Sequence, residues 1–206
     1  MKKLLILLFS IFLLSSPSVF ADDISDFEIE GMSIGDSLLD YMTEEEILEG
    51  IELYDGYQFL NEPYKYTEIY LYKDFPTYGD VSFFIKNNSS NQYITDKNEK
   101  YIILSINGMI NYIEDFDSCI QKRDEIAEVI SEMFPNAQKE ERSLIHPADP
   151  SGNSIVEAFY FNFDSGALIE LSCTDIDETF RTKNKWTEGL SVIVRPKEIR
   201  SWLIDY

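Results

Sequence analysis

The chain has 206 residues, with 38 acidic against 17 basic side chains and a formal charge of −21. A surface that negative repels phosphate backbones and anionic headgroups, which argues against direct binding to DNA or RNA and favours basic partners, divalent cations or simple solvation. The length suffices for one domain with a substantial core, and 14 Phe with 13 Tyr supply large side chains to fill it.

The N-terminus carries Lys2 and Lys3, an apolar run from Leu4 to Leu14 broken by Ser10, and then Ser15, Ser16, Pro17 and Ser18. Val19-Phe20-Ala21 ends the stretch with a small residue at the cut position. This is the layout of a secretory signal, with residues 1–21 removed and residues 22–206 left as a single α+β domain. The apolar core falls short of the roughly 20 residues a spanning helix needs, and no second run is long enough. The expected location is the periplasm or the exterior. No cysteine near the cut offers a lipid attachment point.

Asp22 to Phe27 reads as an acidic lead-in, and Gly31-Met32-Ser33-Ile34-Gly35 enters a helical piece with Leu38, Leu39 and Met42 on one side. Thr43 and Glu46 form a capping box, predicting a short helix over Glu44 to Gly50. Asn61-Glu62-Pro63 marks a break. Strands are predicted at Thr67 to Lys73, Val81 to Lys86 and Lys100 to Ile106, the last two separated by the polar cluster Asn87 to Asn91. A long amphipathic helix is predicted from Asp115 to Phe134. There Phe116, Cys119, Ile120, Ile126, Ala127, Ile130, Met133 and Phe134 recur at helical spacing, and Pro135 stops the run.

Beyond it, Ile155, Phe159, Phe161 and Phe163 share a strand face. Asp164-Ser165-Gly166 turns the chain, and Ala167, Ile169, Leu171 and Cys173 share the face of the return strand. Leu190, Val192 and Val194 form another strand, and Pro196 opens a closing helix with Ile199, Trp202 and Leu203. Strands clustered between helices predict α+β, an antiparallel sheet packed by one long amphipathic helix and short terminal helices. Gly31-Met32 and Gly108-Met109 each precede a helix, which suggests a doubled helix-then-three-strands unit.

Cys119 lies on the apolar helix face and Cys173 on the apolar strand face, so helix-on-sheet packing brings both sulfurs into one layer. In an oxidising compartment a structural disulfide is the expectation, with two buried thiols or a reactive cysteine as alternatives. No Cys-x-x-Cys supports a redox role.

Catalytic patterns are sparse. His146, the one histidine, sits beside Pro147 in a loop with no Gly-x-Ser-x-Gly elbow elsewhere, which reads as a turn residue. One His and two distant Cys do not make a zinc set. The loop starting at Asp149 has Ser151 and Asn153, yet against a calcium loop its sixth position is Ser154 and its twelfth Tyr160, where Gly and Glu belong. Asp175, Asp177 and Glu178 form an acidic cluster that reads as a polar connection. No phosphate-cradling Gly loop or dinucleotide fingerprint occurs. No cofactor, metal or catalytic residue is therefore expected.

The segment Phe27 to Tyr41, Cys119 with Lys122-Arg123-Asp124-Glu125-Ile126, the Tyr160-Phe161-Asn162-Phe163 strand, and Cys173 with its acidic follow-on resemble a group of small secreted proteins from marine alphaproteobacteria. That resemblance implies export and the cysteine pair. Gly31-Met32-Ser33 and the following helical piece are also similar to BamE-like outer-membrane assembly lipoproteins, which pack two helices on a three-stranded sheet and act as binding modules. The lipid-bearing cysteine of such proteins is missing here. The leading expectation is a periplasmic binding module of the cell envelope, recognising an envelope protein or basic ligand through aromatics of the Tyr54 to Tyr78 stretch. The alternative is a hydrolase of envelope polymer working through paired carboxylates.

Overall fold

The computed structural model describes residues 23–53, 57, 59–72, 75–87 and 99–204; the expected signal segment and the polar cluster after Asn87 lie outside them. After 3-10 turns at Ile24–Asp26 and Leu38–Asp40, helix α1 runs over Glu44–Leu53. Its capping box forms as expected: Thr43 N and Oγ1 donate to Glu46 Oε2 at 2.7 and 2.8 Å. Strands β1 (Tyr66–Leu71), β2 (Asp80–Lys86) and β3 (Ser105–Asn111) follow, then the long helix α2 (Phe116–Met133). The second half holds β4 (Gln138–Ile145), β5 (Ile155–Asn162), β6 (Leu168–Asp175), α3 (Glu178–Asn184), β7 (Gly189–Arg195) and α4 (Lys197–Ile204).

All seven strands join one antiparallel sheet in the order β1-β2-β3-β7-β6-β5-β4. Two meanders thus run inward from opposite edges, and β7 joins them. The predicted α+β class holds. The element order does double, α1 with β1-β2-β3 and then α2 with β4-β5-β6, followed by α3, β7 and α4; Gly108-Met109, however, lies inside β3 rather than directly before a helix.

The register assigns each side chain to a face. Ile69, Phe83, Ile106, Val194, Ile169 and Phe161 form one row straight across six strands. Leu71, Val81, Gly108, Val192, Leu171 and Phe159 form the next. Both rows are buried, apart from the glycine's missing side chain, under α1, α2 and the N-terminal residues Phe27, Ile29, Met32 and Leu38. Gly108 makes room for Tyr78, whose ring carbon Cδ1 would lie 2.6 Å from an added Cβ. The sulfurs of Cys119 and Cys173 lie at disulfide distance, 2.01 Å, which ties the first turns of α2 to β6 across this layer. Among the described residues, no helix is long and apolar enough to cross a membrane.

Three elements depart from the sequence reading. The third strand begins at Ser105, not Lys100, because Tyr101 adopts a positive φ of 51° and Ile102 instead bridges Ser37. Strand β4 was not predicted at all: every residue from Gln138 to Ile145 is exposed, so no apolar alternation marks it. As an edge strand it is guarded by charge, with Lys139 Nζ 3.8 Å from the Phe159 ring centroid. Finally, the acidic cluster after Cys173 is partly helical: Asp177 caps α3 by accepting from Phe180 N at 3.1 Å, and Lys185 ends it in the left-handed region.

Candidate binding face

The opposite face of the sheet is built from the alternate residues of the same strands. One row reads Tyr70, Ser82, Asn107, Ile193, Glu170, Tyr160 and Glu140; its neighbour reads Asp80, Met109, Ser191, Ser172, Ala158 and Arg142. Here large and small residues are mixed, and the burial differs from the packed side. Met109, Ile193 and Tyr160 are half-buried and Tyr70 is 40% exposed, while small Ser82, Ser172 and Ala158 are buried at their feet. The Asn107 side-chain oxygen, in the middle of this face, is buried and accepts no hydrogen bond among the described residues. From Gly189 to Arg195 the face extends about 20 Å along β7.

Helix α4 covers only one end. Pro196 precedes it, and Ile199 and Trp202 pack with Leu60, Tyr66 and Phe84 into a second small core. The Trp202 ring meets Tyr66 and Tyr57 edge-on at 4.9 and 5.1 Å, and its Nε1 donates to the Glu62 carbonyl at 3.0 Å. Tyr66 donates its hydroxyl to Glu198; burial, and then that carboxylate, push its pKa above the ordinary tyrosine range. Glu68 accepts from Ser82 and Tyr57 at 2.8 and 3.2 Å, fixing the boundary between covered and open surface.

A cavity of about 200 Å³ opens beside α4, lined by Glu140, Arg142, Tyr160, Glu170, Arg195 and Arg200 among others. Arg142 Nε and Nη2 grip Glu140 at 2.9 and 3.0 Å, and Arg195 Nη1 reaches Glu170 at 3.1 Å. Arg200 instead donates to the neutral Asn162 side chain at 3.2 Å. Burial, and then Glu170, raise the Tyr160 pKa, against the pull of Arg142 and Arg195.

At the far end lies a cavity of about 170 Å³, walled by Trp186 and His146 over Met109, Thr174 and Ser191. Trp186 meets His146 and Phe180 edge-on at 5.5 and 5.2 Å, so the single histidine packs on an indole rather than standing in solvent. Glu188 anchors this end. Nearly buried, it accepts from Glu114 N at 2.7 Å and Ile176 N at 3.0 Å, clipping the loop before α2 to the loop before α3. Asp175 nearby has its carboxyl pKa raised, by burial first and by the Glu188 charge second.

The other sequence candidates sort as follows. Asp149 accepts from Ser154 Oγ and N at 2.6 and 3.1 Å and from Ser151 N and Oγ at 2.9 and 2.8 Å. Those bonds, the Ser154 hydroxyl foremost, pull its pKa down to about 2, and the carboxylate closes a turn. Among the described residues, no three His, Cys, Asp or Glu side chains are grouped to hold a metal. Of the aromatic stretch, Tyr54 lies outside the described residues, and Tyr57 packs against Phe84 and Trp202 under α4. Tyr66 and Tyr78 are core, while Phe59, Tyr64, Tyr70 and Tyr72 are exposed. Tyr70 and Tyr72 stack at 5.9 Å on the β1 edge of the open face. The sequence reading missed Arg142, Arg195, Arg200 and Trp186, which come from strands and a helix distant in the chain or from a connection without a motif. The one early signal for the three arginines is that basic residues are scarce here.

Comparison with protein-family models, curated proteins and solved structures finds no match at any of the three levels.

Proposed function

We propose that this is an exported, non-catalytic binding module of the cell envelope, engaging its partner through the open sheet face. The observation that carries the reading is the asymmetry of the sheet. One face is sealed by α1, α2 and the N-terminal segment, while the other keeps Met109, Ile193 and Tyr160 partly accessible on inner strands and Tyr70 exposed at the β1 edge. An antiparallel sheet with one open face normally shows polar side chains there, whereas aromatic and Met side chains are enriched at contact surfaces. The acidic surface as a whole favours an envelope protein with a basic contact patch.

The hydrolase alternative rests on one feature, the raised carboxyl of Asp175 beside Glu188. Glu188, however, is committed to two backbone N–H donors, which leaves it poorly placed for proton transfer.

The test is capture from envelope extract by tagged protein, compared with the Ile193→Lys variant. A partner retained by the parent, released by salt, and lost by the variant at unchanged thermal stability supports the reading. Equal retention by both removes the open face from it.

A further inference from the structure

We propose that the cavity beside α4 is a binding site for a small oxyanion, a carboxylate or phosphate group carried on a short carbon frame. This goes beyond the partner reading and does not depend on it.

Three of the chain's few cationic side chains converge on one cavity: Arg142 from β4, Arg195 from β7 and Arg200 from α4. In a chain of charge −21 the surrounding field opposes a single small anion only weakly, but it repels polyanions strongly. A small anion can therefore enter where a nucleic acid or anionic membrane cannot approach. Two of the guanidinium groups are held by Glu140 and Glu170, which orients them without filling their donor capacity, since each guanidinium carries five N–H. Arg200 donates to the neutral Asn162 side chain, and no carboxylate lies within 4.0 Å of it among the described residues.

The balance of the six lining groups is three cations against two anions, an excess of one positive charge. Tyr160 lines the same wall, its ring centroid 5.2 Å from the Arg142 guanidinium carbon, and Leu168 and Leu203 supply an apolar flank for a carbon frame. A volume of about 200 Å³ equals roughly seven waters at their liquid share. That is room for a phosphate or carboxylate with a few attached carbons. Planar guanidinium forks suit either oxyanion by paired hydrogen bonds.

The experiment is a titration at constant ionic strength, with inorganic phosphate in one arm and acetate in the other, read on the arginine Nε–H resonances of the full chain. Saturable shifts at Arg195 and Arg200, with chloride inert, are expected; the arm that saturates at lower concentration names the oxyanion. Arg200→Gln should weaken binding by about tenfold, the scale of one desolvated charge-assisted contact, whereas Lys139→Gln removes the same charge elsewhere and should leave it unchanged. Glu170→Gln removes a competing carboxylate and should tighten binding about three- to tenfold. That gain cannot come from damaged folding. Shifts that never saturate, equal losses in Arg200→Gln and Lys139→Gln, or no tightening in Glu170→Gln would each overturn the site. Failure here with partner capture intact removes only the oxyanion site; the reverse result removes only the partner reading.

Discussion

The two faces of the sheet come from the same strands and differ by one residue of phase. On the packed face the central row runs Ile69, Phe83, Ile106, Val194, Ile169, Phe161; one position along, it runs Tyr70, Ser82, Asn107, Ile193, Glu170, Tyr160. The first row has a single chemistry and is sealed. The second alternates aromatic, hydroxyl, amide, aliphatic and charge, and no described helix lies over its centre. Cores are selected for filling space, and a row of uniform apolar side chains does that. A row so mixed fills space poorly but offers many kinds of contact. The contrast separates what holds this protein together from what it presents.

The largest effect should come from the staple of the packed face. Its bond closes a 54-residue span, so replacing both Cys119 and Cys173 by Ser should cost about 4 kcal/mol by the chain-entropy relation. Urea unfolding with and without reductant measures it; identical midpoints would mean the helix docks on β6 unaided.

Next, Leu171→Ala and Ile193→Ala remove aliphatic groups from adjacent strands on opposite faces. Leu171 is fully buried, and its loss should cost about 3 kcal/mol; at half-buried Ile193 the cost should stay at about 1 kcal/mol. Equal losses in denaturant melts would show that the open face is covered in solution. Glu188→Ala tests the clip at the far end. It strips acceptors from two backbone N–H groups and should cost about 2–3 kcal/mol, with hydrogen exchange rising first at Glu114 and Ile176.

The smallest effect concerns pH. The Asp149 carboxyl, at about 3.9 in an unfolded chain, is held at about 2 by Ser154 and Ser151. A depressed carboxylate adds stability that is present above the unfolded value and is lost as pH falls from about 4 through about 2. Ser154→Ala should move the Asp149 titration upward toward the ordinary value, followed by carboxyl carbon NMR, and should flatten the stability profile in that window. An unchanged titration would shift credit to Ser151.

The packed face was largely legible in the sequence because burial imposes a period. Ile155 to Phe163, Ala167 to Cys173 and Leu190 to Val194 carry apolar residues at every second position, interrupted only at Glu157, and strands form there with those residues on the expected face. The long helix showed itself the same way, down to the cysteine that meets β6, although Arg123 on its inner side reads as polar. It is 4% exposed, lying 4.1 Å from the Phe159 ring centroid and bonded to Asp124. Strand β4 was illegible because an exposed edge needs no apolar phase, and β3 was displaced by a local left-handed turn. The arginine cavity was illegible for a different reason. Its members come from β4, β7 and α4, and only the fold of the whole sheet makes them neighbours.

The seam between β3 and β7 has a consequence for the order of assembly. The strand that completes the centre of the sheet is the last of the described strands in chain order, and Gly189 at its start admits no Cβ, since one would lie 2.2 Å from the Ile110 carbonyl. A chain emerging N-terminus first therefore leaves the inner edges of β3 and β6 without their partner strand until β7 is made. Without β7 the sheet would fall into two meanders with unpaired edges, β3 and β6, rather than into a shortened version of the protein.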